Sequence, residues 1–395
     1  MTTIDVTFSF SFHHIGGIDV KIIVSPDSFK GSLSATDAAK IMVDAIHEID
    51  KKIETVLLPV ADGGEGTLEP LINATNGKLE CLQVHDPLGR TINAEYGVLG
   101  DGETCMIEMA KASGLTLLSP DERNPLVAST FGTGEFILHA LNAGYRKFII
   151  GIGGSATNDG GTGMLRALGM KFLDAQGQEL AEGAQSLGNL SEIDASQFDP
   201  RIKASHFVIA CDVDNPLVGP NGATAIFGPQ KGATKEMVKE IDFNLQHLAN
   251  LIEKETGIAL HKRPGAGAAG GIGGAFLAFF PVELKPGIEV VMTAIDFARH
   301  LQSATFVLTG EGKSDIQTLS GKAPIGIAKE SVKQHVPVAL ISGYVEESSK
   351  AQLANYFIQI ASVVNEQVSS EESIANPEVH LKQRTHETVQ KLINL

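Results

Sequence analysis

The chain has 395 residues, 43 % of them apolar, with 42 glycines, no tryptophan and a formal net charge of −16. At about 100–200 residues per domain, that length predicts two to three domains. The acidic balance weighs against sequence-independent binding to nucleic acid or to anionic membranes, and an anionic substrate would need a local pocket of Lys, Arg or backbone N–H groups.

Residues 1–19 carry Phe8-Ser9-Phe10-Ser11-Phe12 and His13-His14 but neither a basic n-region nor a signal-peptide core, so they do not read as secretory. An added edge strand, a disordered tail and sequence upstream of the true start stay open for them. Residues 20–25 (VKIIVS) form a β-branched run that predicts a buried parallel strand. Ser34 is placed to N-cap an amphipathic helix from Ala35 to about Ile49, with Asp37 near its positive end. A strand over 53–60 runs into 62–67 (DGGEGT) and a further helix, the alternation of an open α/β sheet.

After Gly77 the pattern changes. Segments 79–86, 92–99 and 103–109 read as antiparallel strands separated by turns at 86–89 and 100–102, which places a domain boundary near residue 80. A helix at 133–143, a strand at 147–151, a helix near 160–168, a strand at 206–211 and a long helix at 235–255 follow. Parallel α/β character returns with 305–309, a helix from about 322 and a strand at 336–342; a polar helix at 376–393 covers a surface. The pattern therefore predicts one α/β domain built from both chain ends, with the middle inserted into it. No apolar run reaches the roughly 18 residues that span a bilayer. Cys81, Cys105 and Cys211, without C-x-x-C spacing, read as buried free thiols of a reducing, cytoplasmic compartment.

Most of the Gly-rich and acidic loops follow predicted strands, where open α/β sheets bind ligands. They are 27–32, 62–67, 151–163 (GIGGSATNDGGTG), 264–275 (PGAGAAGGIGGA) and 309–315 (TGEGKSD), with 211–216 and 227–232 (FGPQKG) beside them. Backbone N–H groups to hold phosphates, carboxylates for Mg²⁺ or a hydroxyl proton, and lysines to neutralise charge are the mixture that phosphoryl transfer needs. No segment matches the Walker pattern, because Val307 stands where Gly312-Lys313-Ser314 would need the first glycine. A rival is G-x-G-x-x-[G/A] at 151–156 with Asp174 about 20 residues on, the spacing of a dinucleotide fold and hence of an NAD-dependent hydroxyacid dehydrogenase. Each residue also has a plainer reading. Asp27 and Asp62 serve equally as loop caps, Lys30 as a solvated lysine and Asp159 as turn chemistry. Asp212 and Asp214 flank Val213, so on a strand they face one side, which tilts them towards a metal. Lys322 opposes the helix dipole, which hints at an anion nearby.

Taken in order, SPDSFKGSLSA (25–35), LPVADGGEGT (58–67), NPLVASTFGTGE (124–135), GIGGSATNDGGTGML (151–165), ACDVDNPLVGPNGA (210–223), FGPQKGAT (227–234), PGAGAAGGIGGAF (264–276) and LTGEGKSDIQTLSGKAPIGIA (308–328) resemble the bacterial glycerate kinase family, type I. The resemblance covers roughly 20–330 and thins after Gly343. It implies ATP- and Mg²⁺-dependent phosphorylation of D-glycerate to 2-phosphoglycerate, with 3-phosphoglycerate as the other possible product. It also implies a Rossmann-like parallel-sheet domain formed by both chain ends (1–80 and 285–395) and an inserted α/β domain with a mixed sheet (81–284). The active site is expected in the interdomain cleft, and the protein as a cytoplasmic monomer or homodimer. The expected catalytic residues are Asp27, Lys30, Asp62, Glu65, Asp212 and Lys322. Ser28, Gly63, Gly64, Gly153, Gly154, Ser155, Thr157, Asn158, Asp159, Lys231, Gly267, Gly270, Gly271, Glu311, Lys313 and Asp315 are expected to bind nucleotide or substrate, and Asp212 and Asp315 to bind the metal. A sensor that binds glycerate without turnover is a further alternative.

Overall fold

A computed structural model describes residues 20–393, and the readings of 1–19 lie outside them. In chain order the strands are β1 (Lys21–Val24), β2 (Glu54–Leu57), β3 (Lys78–His85), β4 (Thr91–Val98), β5 (Thr104–Glu108), β6 (Lys147–Gly151), β7 (Lys171–Leu173), β8 (Glu192–Asp194), β9 (His206–Ala210), β10 (Val282–Lys285), β11 (Phe306–Thr309), β12 (Lys313–Ser314), β13 (Val338–Ser342), β14 (Tyr344–Val345) and β15 (Gln359–Ser362). The described residues fall into two compact units. One takes the chain up to Asp62, Glu69–Ala74 and the chain from Val291; the other takes Gly63–Leu68 and Thr75–Val290.

The first unit is built on a five-stranded sheet in the order β15-β13-β11-β1-β2, and every pairing is parallel. Ile22, Ile23 and Val24 have no solvent exposure, as expected for a strand with covered faces and a neighbour on each side. The helix Ala35–Ile49 starts where Ser34 accepts a hydrogen bond from the Asp37 amide (3.1 Å). Replacing Ser34 with Ala removes that cap and lowers stability by about 1 kcal/mol; a reduced urea midpoint at unchanged activity is the expected result. Met42, Val43 and Ile46 from this helix share a core with Leu381, Val389 and Leu392 from the helix Pro377–Ile393. The C-terminal helix thus hides one apolar stripe beneath its polar face. The 53–60 run is regular only through Leu57. Beyond it, Leu58 and Val60 still donate their amides to Val24 and Pro26.

The second unit carries a six-stranded sheet in the order β10-β9-β6-β5-β4-β3. The pairings β10–β9, β9–β6 and β6–β5 are parallel, while β5–β4 and β4–β3 are antiparallel. The hairpin strands therefore form one edge of a mixed sheet. Phe148 and Phe207 stack at 4.6 Å between neighbouring strands at the centre of its core. The molecule is α/β, with a parallel sheet made from both chain ends and a mixed sheet in the inserted segment. One cysteine expectation needs correcting. Cys105 is buried, but Cys211 is half-buried and Cys81 is exposed on the edge strand β3. All three are free thiols.

Candidate active site

In the parallel sheet, β1 leads to β2 on one side while β11 leads to β13 and β15 on the other. The carboxyl ends of β1 and β11 therefore flank a topological switch point, where such sheets open to ligands. The loops that follow are pressed together by small residues. A Cβ on Gly310 would stand 2.0 Å from the Ile341 carbonyl oxygen, and one on Gly312 3.0 Å from the Lys30 nitrogen. Glycine is needed there because backbone meets backbone.

Those contacts gather Asp27, Ser28, Lys30, Asp62, Glu311, Lys313, Asp315 and Lys322 in one unit. Asp27 is 7 % exposed and accepts the Ser28 amide at 2.6 Å. Burial, then the neighbouring Asp62 charge, push its pKa up to about 7, with Glu311 adding to the rise and the Ser28 amide and Lys30 opposing it. Glu311 is buried, accepts hydroxyl hydrogen bonds from Ser314 (2.8 Å) and Thr318 (2.6 Å), and pairs with Lys322 Nζ at 3.4 Å. Lys322 also lies 3.8 Å from Asp315, and Lys313 lies 3.2 Å from it. The anion hinted at beside Lys322 is thus the protein's own pair, Glu311 and Asp315. Burial pushes Asp315 up, yet Lys313, the Gln317 amide and Lys322 outweigh it and hold the carboxyl below its usual range.

The second unit brings together the other loops. A Cβ on Gly63 would meet Ala210 Cβ at 2.6 Å and Gly287 Cα at 2.7 Å, and one on Gly153 would meet Gly64 Cα at 2.8 Å. The Gly63-Gly64 turn therefore rests directly on the carboxyl ends of β6 and β9. Glu65 accepts a hydrogen bond from Thr116 Oγ1 at 3.2 Å. Within the 151–163 loop, Ser155 is bridged to Gly114, and the Ala156 amide donates to Ser113. Among the described residues, the amides of Gly153, Gly154, Ser155, Thr157 and Asn158 meet no acceptor. A run of such amides is suited to phosphate oxygens. Asp159 does not point at a ligand. It has no exposure, and its carboxylate accepts from the Thr130 amide and hydroxyl (2.9 and 2.7 Å) and from the Gly161 and Gly163 amides (3.0 and 3.1 Å). Burial raises its pKa against those four bonds.

Other residues expected at a ligand make close contacts within the protein. A Cβ on Gly267 would stand 2.1 Å from the Pro216 oxygen, on Gly270 1.9 Å from the Thr157 oxygen, and on Gly271 2.7 Å from Gly160 Cα. These three glycines let the 264–275 loop press on the chain behind the 151–163 loop. Lys231 is 1 % exposed and donates inward to Ser155 Oγ (2.7 Å) and to the Thr157 carbonyl (2.6 Å). The dinucleotide reading fails on context. After β6 the chain runs ten residues, 152–161, before the helix Thr162–Ala167 begins, and Asp174 follows a strand of a separate two-stranded antiparallel sheet. Its carboxylate accepts the Gln176 and Gln178 amides of its own turn.

Magnesium, expected at Asp212 and Asp315, finds no ready donor set. Among the described residues, no group of three or more His, Cys, Asp or Glu could hold a metal ion. Asp212 and Asp214 do not share a strand face, because β9 ends at Ala210 and 211–215 is irregular. Asp212 Oδ1 accepts the Gly287 amide at 2.9 Å. A dication at Asp315 would have to displace two ammonium groups. No cage built by the protein alone is present among the described residues, so a magnesium ion here would take one or two carboxylates together with the nucleotide phosphates.

One supporting residue escaped the sequence reading. Glu108, the last residue of β5, is 1 % exposed and accepts the Leu68 amide at 2.5 Å, which anchors the 63–68 loop. Burial raises its pKa, opposed first by that amide. The available signal was an acid closing the apolar run Thr104–Glu108, where a buried charge demands a partner.

Among the described residues, no helix is long and apolar enough to cross a membrane. The model of the glycerate kinase family matches residues 22–394. The chain is 51 % identical over 324 residues to the glycerate 2-kinase of Escherichia coli K12, covering 82 % of this chain and 85 % of that one. It is 49 % identical over 332 residues to the glycerate kinase of Bacillus subtilis 168, covering 84 % and 87 %. A crystal structure described as a glycerate kinase 2 from Salmonella typhimurium LT2 superposes with a TM-score of 0.83 at 43 % identity, over 95 % of this chain and 96 % of that one. The chain belongs to the glycerate kinase family and is a kinase, a phosphotransferase with an alcohol group as acceptor.

Proposed function

We propose that the protein transfers the γ-phosphoryl group of ATP to a hydroxyl of D-glycerate and yields 2-phosphoglycerate. The observation that carries this reading is Asp27, a buried carboxyl at the carboxyl end of β1 whose pKa of about 7 suits a proton acceptor working near neutral pH. Asp27 takes the hydroxyl proton as the oxygen attacks phosphorus and the bond to the leaving ADP breaks. Lys30, together with Lys322 once it swings away from Glu311 and Asp315, offsets the charge of the glycerate carboxylate and of the transferring group. The amides of Gly153, Gly154 and Ser155, which meet no acceptor among the described residues, receive phosphate oxygens. Magnesium, when bound, would be held by one or two of the site's carboxylates and the nucleotide phosphates and would supply neutralising charge to the transferring group. The same reading includes a cytoplasmic enzyme that is a monomer or a homodimer.

Purified protein with Mg-ATP and D-glycerate is expected to release ADP and a phosphoglycerate. Direct conversion of that product by enolase identifies the 2-isomer; a product that needs a mutase first is the 3-isomer. Binding without ADP release would leave only a sensor. Lys30→Ala and Asp62→Ala are each expected to lower turnover about a hundredfold or more at unchanged fold. Near-normal turnover in both would remove Lys30 and Asp62 from the catalytic set.

A further inference from the structure

Lys231 closes the short turn Pro229–Lys231, between Gly228 and Gly232. Gly232 has φ +92°, and a Cβ there would stand 2.4 Å from the Arg123 carbonyl oxygen, so the turn is fixed against its neighbour. The side chain points inward. At 1 % exposure it cannot reach a ligand in solvent, yet its Nζ reaches two groups of the 151–163 loop, Ser155 Oγ at 2.7 Å and the Thr157 carbonyl at 2.6 Å. Those anchors lie within the stretch whose amides, apart from that of Ala156, meet no acceptor among the described residues. Asn158 is tied on the far side, where its Nδ2 donates to Thr224 Oγ1 at 3.0 Å.

We infer that Lys231 is a positioning residue: from inside the protein it fixes Ser155 and Thr157, and so sets the amides of Gly153, Gly154 and Ser155 for phosphate without touching the nucleotide. This rests on the reading of that loop as the phosphate cradle. The alternative use of a lysine, as a point charge on phosphate, conflicts with its burial. Its chemistry conflicts as well. Burial drives its pKa down to about 7 against the attraction of Asp159, the charged side chain that acts on it. An amine that loses its charge near neutral pH is a poor phosphate counter-ion, but it keeps N–H groups to donate in either form. The clamp works through hydrogen bonds, not through charge.

Two substitutions separate this from simple filling of space. Lys231→Met keeps the length and apolar stem but donates nothing. Lys231→Gln loses the charge but keeps an NH₂ group. Binding of a non-hydrolysable ATP analogue and steady-state kinetics are measured for both. The expected result for Lys231→Met is a dissociation constant and nucleotide KM about tenfold higher with kcat within threefold, the loss of roughly one or two hydrogen bonds felt only by the cradle. Lys231→Gln restores both constants to within about threefold of the starting protein. Equal behaviour of Met and Gln overturns the inference, because a space-filling role favours Met. So does an unchanged nucleotide KM in Lys231→Met. If Lys231→Met does not fold, Ser155→Ala cuts one of the two bonds with the lysine in place. A several-fold rise in nucleotide KM is then expected, and an unchanged value counts against the clamp. If the unsubstituted protein binds no ATP analogue, the cradle reading itself fails. Limited proteolysis within 151–163, faster for Met than for Gln, then still decides whether Lys231 holds the loop.

Discussion

Replacing Asp27 with Asn is expected to cut turnover by orders of magnitude and, above neutral pH, to make the protein more stable. Both effects have one origin. Asp27 accepts the Ser28 amide at 2.6 Å and sits in a buried position beside other acids, so its ionised form is disfavoured. Its pKa rises from 3.8 to about 7. Below pH 3.8 the folded and unfolded chains both carry the proton, and the site has no pH-linked cost. Between 3.8 and 7 the unfolded chain ionises while the folded one does not, so stability falls as pH rises. Above 7 the loss is complete and amounts to about 4 kcal/mol. Asparagine preserves the acceptor for Ser28 and cannot ionise, so it recovers much of that energy. Removing the proton acceptor lowers turnover by about 10²- to 10⁴-fold. The wild-type kcat should rise with pH and level off above about 7, while the variant shows no such rise. Thermal unfolding of both proteins at pH 4 and pH 8 makes the check. The two should melt alike at pH 4, and Asp27→Asn should melt higher at pH 8. A variant that keeps turnover, or melts lower at pH 8, removes Asp27 as the base.

Gly270→Ala is expected to cost about 3 kcal/mol, whereas Gly257→Ala costs about 1 kcal/mol. Both positions have positive φ, +69° and +75°, so the conformational strain is similar. The difference lies in what a methyl group meets. At Gly257 nothing lies within 4 Å; at Gly270 the Thr157 oxygen lies at 1.9 Å and Asn158 Cα at 2.7 Å. Relief at Gly270 requires the 151–163 loop to move, so nucleotide affinity falls along with stability. In a unit of this size, about 3 kcal/mol lowers the melting temperature by roughly 6–12 °C. Equal melting temperatures for the two variants would mean that the loops are not held in this contact.

Regular elements with local causes were legible from the sequence. The β-branched run ending at Ser25 and the cap at Ser34 mark β1 and the helix Ala35–Ile49 because strand burial and capping are encoded within a few residues. The glycine clusters marked the loops, but not what each loop faces. Gly153 and Gly270 look alike in sequence; one approaches Gly64, the other Thr157, and only the fold distinguishes them. Asp212 and Asp214 misled because β9 stops at Ala210, where its partner β6 ends at Gly151, a limit set by pairing between distant strands. Lys231 resembled a ligand lysine because burial of a side chain leaves no mark on its neighbours in sequence. The match at 151–156 imitated a dinucleotide turn, since glycines needed for close backbone contact follow the same spacing as glycines needed for a cofactor.

The pairing of β1 with β11 has a consequence for biosynthesis. Lys21 donates its amide to Thr305 across 284 residues of chain. A ribosome adding about 5–20 residues per second takes roughly a quarter of a minute to a minute to supply that partner. Until then this buried strand has β2 beside it but lacks its second neighbour, while the contiguous stretch between can already condense. Newly made chains are therefore expected to pass through a long-lived half-finished stage, in which a chaperone that shields bare strand edges raises yield far more than one acting on the completed protein.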